Sequence, residues 1–142
     1  MSDINGYSEL LAESIQDQIF KNTDFPGQAS LWCALFTTMP DVAGAGSVEP
    51  TGNAYARVEV PITSWGAAST TTEITSTTNT ASITFPEATP SGWGTIVGFG
   101  LWTAVTAGSL WLGGPLNTPK VIAANTIAVF LAGNLVINTK NQ

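Results

Sequence analysis

The amino-acid sequence predicts a mainly β protein: an antiparallel β-sandwich or jelly-roll-like domain with one N-terminal amphipathic α-helix. Three observations predict it. Only one stretch carries a sustained helical period of apolar residues. Beyond it the chain breaks into short apolar or alternating runs bounded by Gly, Pro, Asn and Ser, the pattern of many strands. Strand and helix patterns never alternate, so nothing supports a parallel sheet. The organisation expected is a helical arm over residues 1–26 and a β-sandwich domain over 27–142.

The helix lies in "YSELLAESIQDQIF", where Tyr7, Leu10, Leu11, Ile15, Ile19 and Phe20 fall at helical spacing and Glu9, Glu13, Asp17 and Lys21 take another face. Asn5 or Ser8 caps its start, Lys21 suits the negative end of the helix dipole, and Pro26 forbids continuation. Glu9, Glu13 and Asp17 repel one another at four-residue spacing, and the Asp17–Lys21 pair returns only about 0.3–0.5 kcal/mol. Packing of the apolar stripe must therefore hold the helix.

"ASLWCALFTT" reads as a buried strand closed by Met39, Pro40 and Asp41, and "DVAGAGSVEPTGN" as a flexible loop. In "YARVEVPI" the alternation turns Val58, Val60 and Ile62 inward and Arg57 and Glu59 outward, with Pro61 at an edge or strand end. The Thr-rich stretch from Thr63 to Ser82 is low in complexity and reads either as disorder or as an exposed ribbon or long hairpin; the β-branched Thr, which favours a pleated backbone, tips the expectation to the ribbon. "SITFP" places Ile83 and Phe85 inward. Further strands are expected at Thr95–Thr103, Ser109–Leu112, Thr126–Leu131 and Leu135–Asn138. Turns at Ala107–Gly108, Gly113–Pro115 and Ala132–Asn134 separate them.

Composition bounds the function. Of the 142 residues only 10% are charged, against about 25% in an average domain. Four basic residues and a net charge of −6 argue against nucleic-acid binding, which needs Lys and Arg to displace phosphate counterions, and against anionic membrane surfaces. No basic start with an apolar run marks a signal peptide or a membrane span, so the chain is expected to stay soluble where it is made. Sparse charge and a 44% apolar composition point to an oligomer or a scaffold-bound subunit.

Catalytic chemistry is thin. The sequence holds no histidine, which removes the commonest general base, the Ser-His-Asp triads and the usual zinc ligands. Cys33 lies mid-strand between Trp32 and Ala34, where a small buried hydrophobe is the ordinary reading. Asp3, Glu9, Glu13, Asp17 and Asp24 lie in or beside the helix, Glu49 sits in the Gly-rich loop, and Glu73 and Glu87 are isolated. Local spacing brings no two of them together as an acid pair. "GAGSVEPTG" has neither the flanking strand and helix nor the Gly-Lys-Ser/Thr of a phosphate cradle, and no calcium-loop spacing occurs. No catalytic residue, cofactor or metal site is therefore expected.

The chain's five tryptophans are Trp32, Trp65, Trp93, Trp102 and Trp111. A buried Trp of roughly 200 Å² supplies on the order of 5 kcal/mol, which favours core and subunit contacts over an exposed row of rings stacking on sugars. Trp102 and Trp111 fall inside predicted strands, whereas Trp65 and Trp93, set beside glycines, are the better candidates for exposed contact. In "GTIVGFGLW", Val97, Phe99 and Leu101 share one face. Ile96, Gly98, Gly100 and Trp102 share the other, where the glycines leave room for a bulky ring from a neighbouring sheet or subunit to lie against the backbone.

The order "LWCALFTTMP", "NAYARVEV", "ITFPEATPSGWGTIVGFGLWTA" and "GSLWLGGPLNTPKVIAANTIAVFLAGNLVI" resembles a group of small tailed-phage virion proteins. These are often labelled tail fibre proteins and are similar to head decoration or cement proteins. The resemblance covers the chain from the helix to Ile137 and implies a β-sandwich virion component without enzymatic activity. The chain lacks the repeats and heptads that give a fibre length, which favours a capsid decoration protein binding the assembled major capsid protein lattice and stabilising the head. The alternative is a tail fibre or baseplate-associated protein that contacts host-surface glycan. Expected partners are the major capsid protein and the chain itself, as a homotrimer, with no nucleic acid or membrane. Tyr7, Leu11, Ile15, Ile19, Trp65 and Trp93 are the candidate interface residues, with the helix either docking on a neighbour or covering an open face of its own sandwich.

Overall fold

A computed structural model describes residues 2–25 and 27–140 of the chain. In chain order the elements are β1 (Gly6–Tyr7), α1 (Glu9–Lys21), β2 (Ser30–Phe36), β3 (Val58–Pro61), β4 (Ser69–Thr71) and β5 (Ile74–Thr78). They continue with β6 (Ile83–Glu87), β7 (Gly94–Trp102), β8 (Leu110–Ile122), β9 (Ile127–Phe130) and β10 (Val136–Lys140). A 3-10 turn at Ile62–Ser64 follows β3. The strands form a five-stranded sheet in the order β1-β8-β7-β2-β3, a three-stranded sheet β10-β5-β4 and a two-stranded sheet β6-β9. Every strand pairing is antiparallel, as the sequence predicts.

The arrangement is sandwich-like because the five-stranded sheet is apolar on both faces. On one face Cys33, Leu35, Val60, Phe99, Leu101 and Leu112 pack with Ile83, Phe85 and Leu135 from the smaller sheets and loops. On the other, Ala34, Phe36, Trp102 and Leu110 pack with Ile4 from the N-terminal segment, and Met39 flanks them. Successive residues of β2 thus enter different cores, which is why "WCALF" is an unbroken apolar run rather than an alternating one.

The helix begins and ends on local chemistry. The Leu11 amide donates to the Ser8 hydroxyl at 3.2 Å, so Ser8 is the N-cap, and Asn22 adopts the left-handed conformation at the C-cap. Asp17 and Lys21 pair at 2.9 Å on the exposed face. Pro26, read as the helix stop, lies outside the described residues, and the helix has already ended at Lys21.

The predicted Thr-rich ribbon is present. β4 and β5 form a hairpin through Thr72 and Glu73, both at positive φ, and β10 adds a third strand. Hydroxyl contacts hold it: Thr70 and Thr75 Oγ1 lie 2.8 Å apart, and Ser76 Oγ donates to Asn138 Oδ1 at 2.7 Å.

The structure corrects four local expectations. Gly113–Pro115 is not a turn, because β8 runs through it and pairs with β7 on both sides of a register shift. A Cβ at Gly113 would stand 3.0 Å from the Ile4 side chain and from the Phe99 carbonyl oxygen, so glycine serves close packing there and not a bend. That register shift, between Ile96 and Gly98, also brings Ile96 rather than Val97 into the main core with Phe99 and Leu101. Ile62 is exposed, since Pro61 ends β3 and the 3-10 turn carries Ile62 away from the sheet. Arg57, expected to point outward, is folded beneath the loop that precedes it.

The last correction sets the inner end of that loop. The Arg57 side chain, 8% exposed, pairs with Glu49 through Nη2 at 2.7 Å and through Nε at 3.1 and 3.2 Å. Its Nη1 donates to the carbonyls of Ala104 and Ala107, and its guanidinium carbon lies 4.1 Å from the centroid of the Trp102 ring. Tyr55 donates its hydroxyl proton to Glu49 Oε1 at 2.7 Å and accepts from the Leu35 amide at 3.0 Å. Glu49 thus receives bonds from two directions, and the loop closes over the second core.

Candidate functional site

Four of the six candidate interface residues converge on one apolar cleft. Tyr7, Leu11, Ile15 and Trp65 line a space of about 280 Å³ together with Leu31 and Ile137, between α1, the five-stranded sheet and the Thr-rich sheet. Leu11 and Ile15 pack onto the main core from the helix, so the inner part of the helical stripe covers the chain's own sandwich. Tyr7 stays half-exposed and its hydroxyl accepts from Thr139 Oγ1 at 3.1 Å. The Trp65 indole N–H is buried without a hydrogen-bond partner, an uncompensated donor in apolar surroundings.

The other two candidates lie elsewhere. Ile19 is two-thirds exposed near the C-terminal end of α1, and Phe20 beside it is 80% exposed. Trp93 is 6% exposed, which overturns its reading as an exposed contact. Its indole donates to the Asn53 carbonyl at 2.9 Å, and Tyr55 and Phe85 pack edge-on against it. The flanking glycines serve the main chain there: a Cβ at Gly92 would lie 2.3 Å from the Ile122 carbonyl oxygen.

A second apolar surface was not singled out by sequence reasoning. In β9 and just past it, Ala128 and Phe130 turn toward the core while Ile127, Val129 and Leu131 face outward and are exposed. A strand apolar on both faces is the pattern of a strand buried on both faces, yet this chain covers only one. Among the described residues β9 pairs with β6 alone, so its far edge is unpaired. Val121 of β8, 72% exposed, joins Val129, Leu116 and Phe130 around a cleft of about 240 Å³ at the open side of the sandwich. No charged residue occurs from Val121 through Thr139, so the edge carries none of the lysines that guard free strands against association.

Among the described residues no carboxylate, thiol or imidazole lines either cleft. Cys33 is fully buried, and burial pushes its thiol well above the ordinary range. Burial, helped by the hydrogen bond to Glu49, raises the Tyr55 phenol likewise. Among the described residues no group of three His, Cys, Asp or Glu side chains is placed to hold a metal, and no helix is long and apolar enough to cross a membrane.

The fold and its surfaces define a β-rich domain with apolar clefts at its surface. The class can be given more closely: residues 6–138 match the family model described as podophage GP4 fiber I protein gp80, and the chain belongs to that family. It is thus a structural component of a phage virion. No curated protein matches the chain.

Proposed function

We propose that this chain is a non-enzymatic subunit of a virion fibre and acts by packing against copies of itself and against the particle. The observation that carries the reading is the match of nearly the whole chain to a family described as a fibre protein. The outward apolar face and open edge of β9 support it, because a subunit destined for an assembly leaves such a surface uncovered. A compact domain of this length has a radius of gyration of only about 15 Å, so a fibre must gain its reach from several copies or from another protein.

Capsid decoration is the second reading. One observation favours it: the compact chain has no heptad run or internal repeat to project it from the particle. Quantitative mass spectrometry of purified virions against the major capsid protein separates the two. The fibre reading predicts a small fraction of the capsid count. A ratio near one, or a simple fraction such as one third, would replace it with lattice decoration.

A further inference from the structure

We infer that copies of this chain associate head to tail, the Ile19–Phe20 end of α1 from one copy seating in the open mouth between β8 and β9 of the next. The inference deepens the fibre reading and rests on it for its place in the virion, although the contact itself is tested on the purified chain.

The two surfaces complement each other in shape and in charge. Phe20 is the most exposed large apolar residue described, and it stands at the end of a helix whose inner stripe is already packed on its own core. It is therefore a projecting knob. The mouth, about 240 Å³ and walled by Leu116, Val121, Val129 and Phe130, is an apolar recess with Lys120 among its lining residues. The chain has four basic residues, of which Lys21 and Arg57 are paired, whereas Lys120 has no carboxylate within ion-pair distance among the described residues. Around the knob Lys21, next to Phe20, is already paired with Asp17, and Asp24 in the loop that follows is in no ion pair among the described residues, which leaves one acid in excess. Docking Phe20 in the mouth would bring Asp24 toward Lys120 while burying Ile19 against Val121 or Val129.

Knob and mouth are different patches, so the contact is heterologous. Such contacts repeat from copy to copy and end in either a closed ring or an open filament, depending on the rotation between neighbours. Both forms suit a virion fibre, the ring including the trimer expected from the sequence.

Two variants test the contact: Phe20→Asp removes the knob and Val121→Asp spoils the mouth. Both positions are largely exposed, so each variant should keep the wild-type circular dichroism. Light scattering after size exclusion should find the wild type assembled and each variant alone monomeric, with self-association weakened at least tenfold. An equimolar mixture should then form a dimer and stop there, because it retains one intact knob and one intact mouth. Trapping gives a second readout: mixing Phe20→Cys with Val121→Cys under oxidising conditions should produce the mixed disulfide dimer, with Cys33 buried and out of reach. A monomeric wild type, variants that assemble normally, or monomeric variants that do not combine would each overturn the inference. Failure of the fibre reading would show separately, as a capsid-like copy number with the contact intact.

Discussion

The loop ending at Arg57 and the strand β9 treat polarity in opposite ways. Around Arg57 the chain encloses an ion pair, two carbonyl contacts and a cation over the Trp102 ring. Along β9 it leaves Ile127, Val129 and Leu131 in water, next to an unpaired strand edge. A chain with so few charges would ordinarily place them where they keep the surface soluble. Here one of the four basic residues is used internally to hold a loop, and β9 is left without a charged residue of its own. The difference separates a region that serves the folded chain from one that the proposed assembly would cover.

Breaking the closed region should have the largest effect. Arg57→Ala leaves Glu49 under the loop without its cation, and loss of one partner from a largely buried pair costs about 3–5 kcal/mol. Urea unfolding should show it as a lowered midpoint. A loss under about 1 kcal/mol would mean that the pair behaves as an exposed one.

Gly100→Ala comes next. Its Cβ would stand 2.7 Å from two atoms of the Phe36 ring and 2.9 Å from Leu110 Cδ1, so the second core must shift, at about 1–3 kcal/mol. The sequence reading expected a ring from a neighbouring sheet or subunit against this backbone; the ring is instead Phe36 of β2, the adjacent strand of the same sheet.

Alkaline pH sharpens the same side of the comparison. Burial raises the folded-state values of Cys33 and Tyr55 above their unfolded values of about 8.5 and about 10, so the neutral forms stabilise the fold. That stability is fully present below the unfolded values and is lost as pH rises past them, by about 1.4 kcal/mol per pH unit for each group. Urea midpoints should be level near neutrality and fall from about pH 9. Cys33→Ala should move the onset toward about pH 10, whereas an unchanged onset would assign the fall to other groups.

The smallest effect on stability belongs to the open region. Val121→Asp should change the unfolding free energy by no more than about 0.5 kcal/mol, since the side chain is largely in water. A loss above about 2 kcal/mol would show that Val121 belongs to the fold and not to an interface.

The parts of the fold legible in the sequence were those set by periodicity. The helix itself, the unbroken β2 run and the Ile83 and Phe85 alternation follow from local spacing and are found. Of the predicted helical stripe, however, only Leu11 and Ile15 pack on the core, Tyr7 lying in β1 and Leu10, Ile19 and Phe20 staying exposed. What local spacing hides is contact at a distance. Gly113, Gly114 and Pro115 look like a turn until Ile4 and Phe99 are seen packed on the glycines. Trp93 looks exposed between two glycines until the Asn53 carbonyl and the Tyr55 ring close over it. Glu49 and Arg57 gave no sign of pairing, because a loop of no regular pattern joins them. Of the site, Tyr7, Leu11, Ile15 and Trp65 were named without any sign that they share one cleft. The β9 surface did carry a signal: Ile127, Val129 and Leu131 alternate with Ala128 and Phe130, so both faces of one strand read as apolar.

The central claim is that the β8–β9 surface is covered in the virion while the Arg57 loop is unchanged. Hydrogen exchange of this chain, measured in isolation and on intact particles, tests it most directly. The account predicts added protection for amides from 121 to 131, on the open edge, with 41–57 exchanging alike in both states. Equal exchange at 121–131 in the two states would contradict it and leave the apolar face of β9 without a partner.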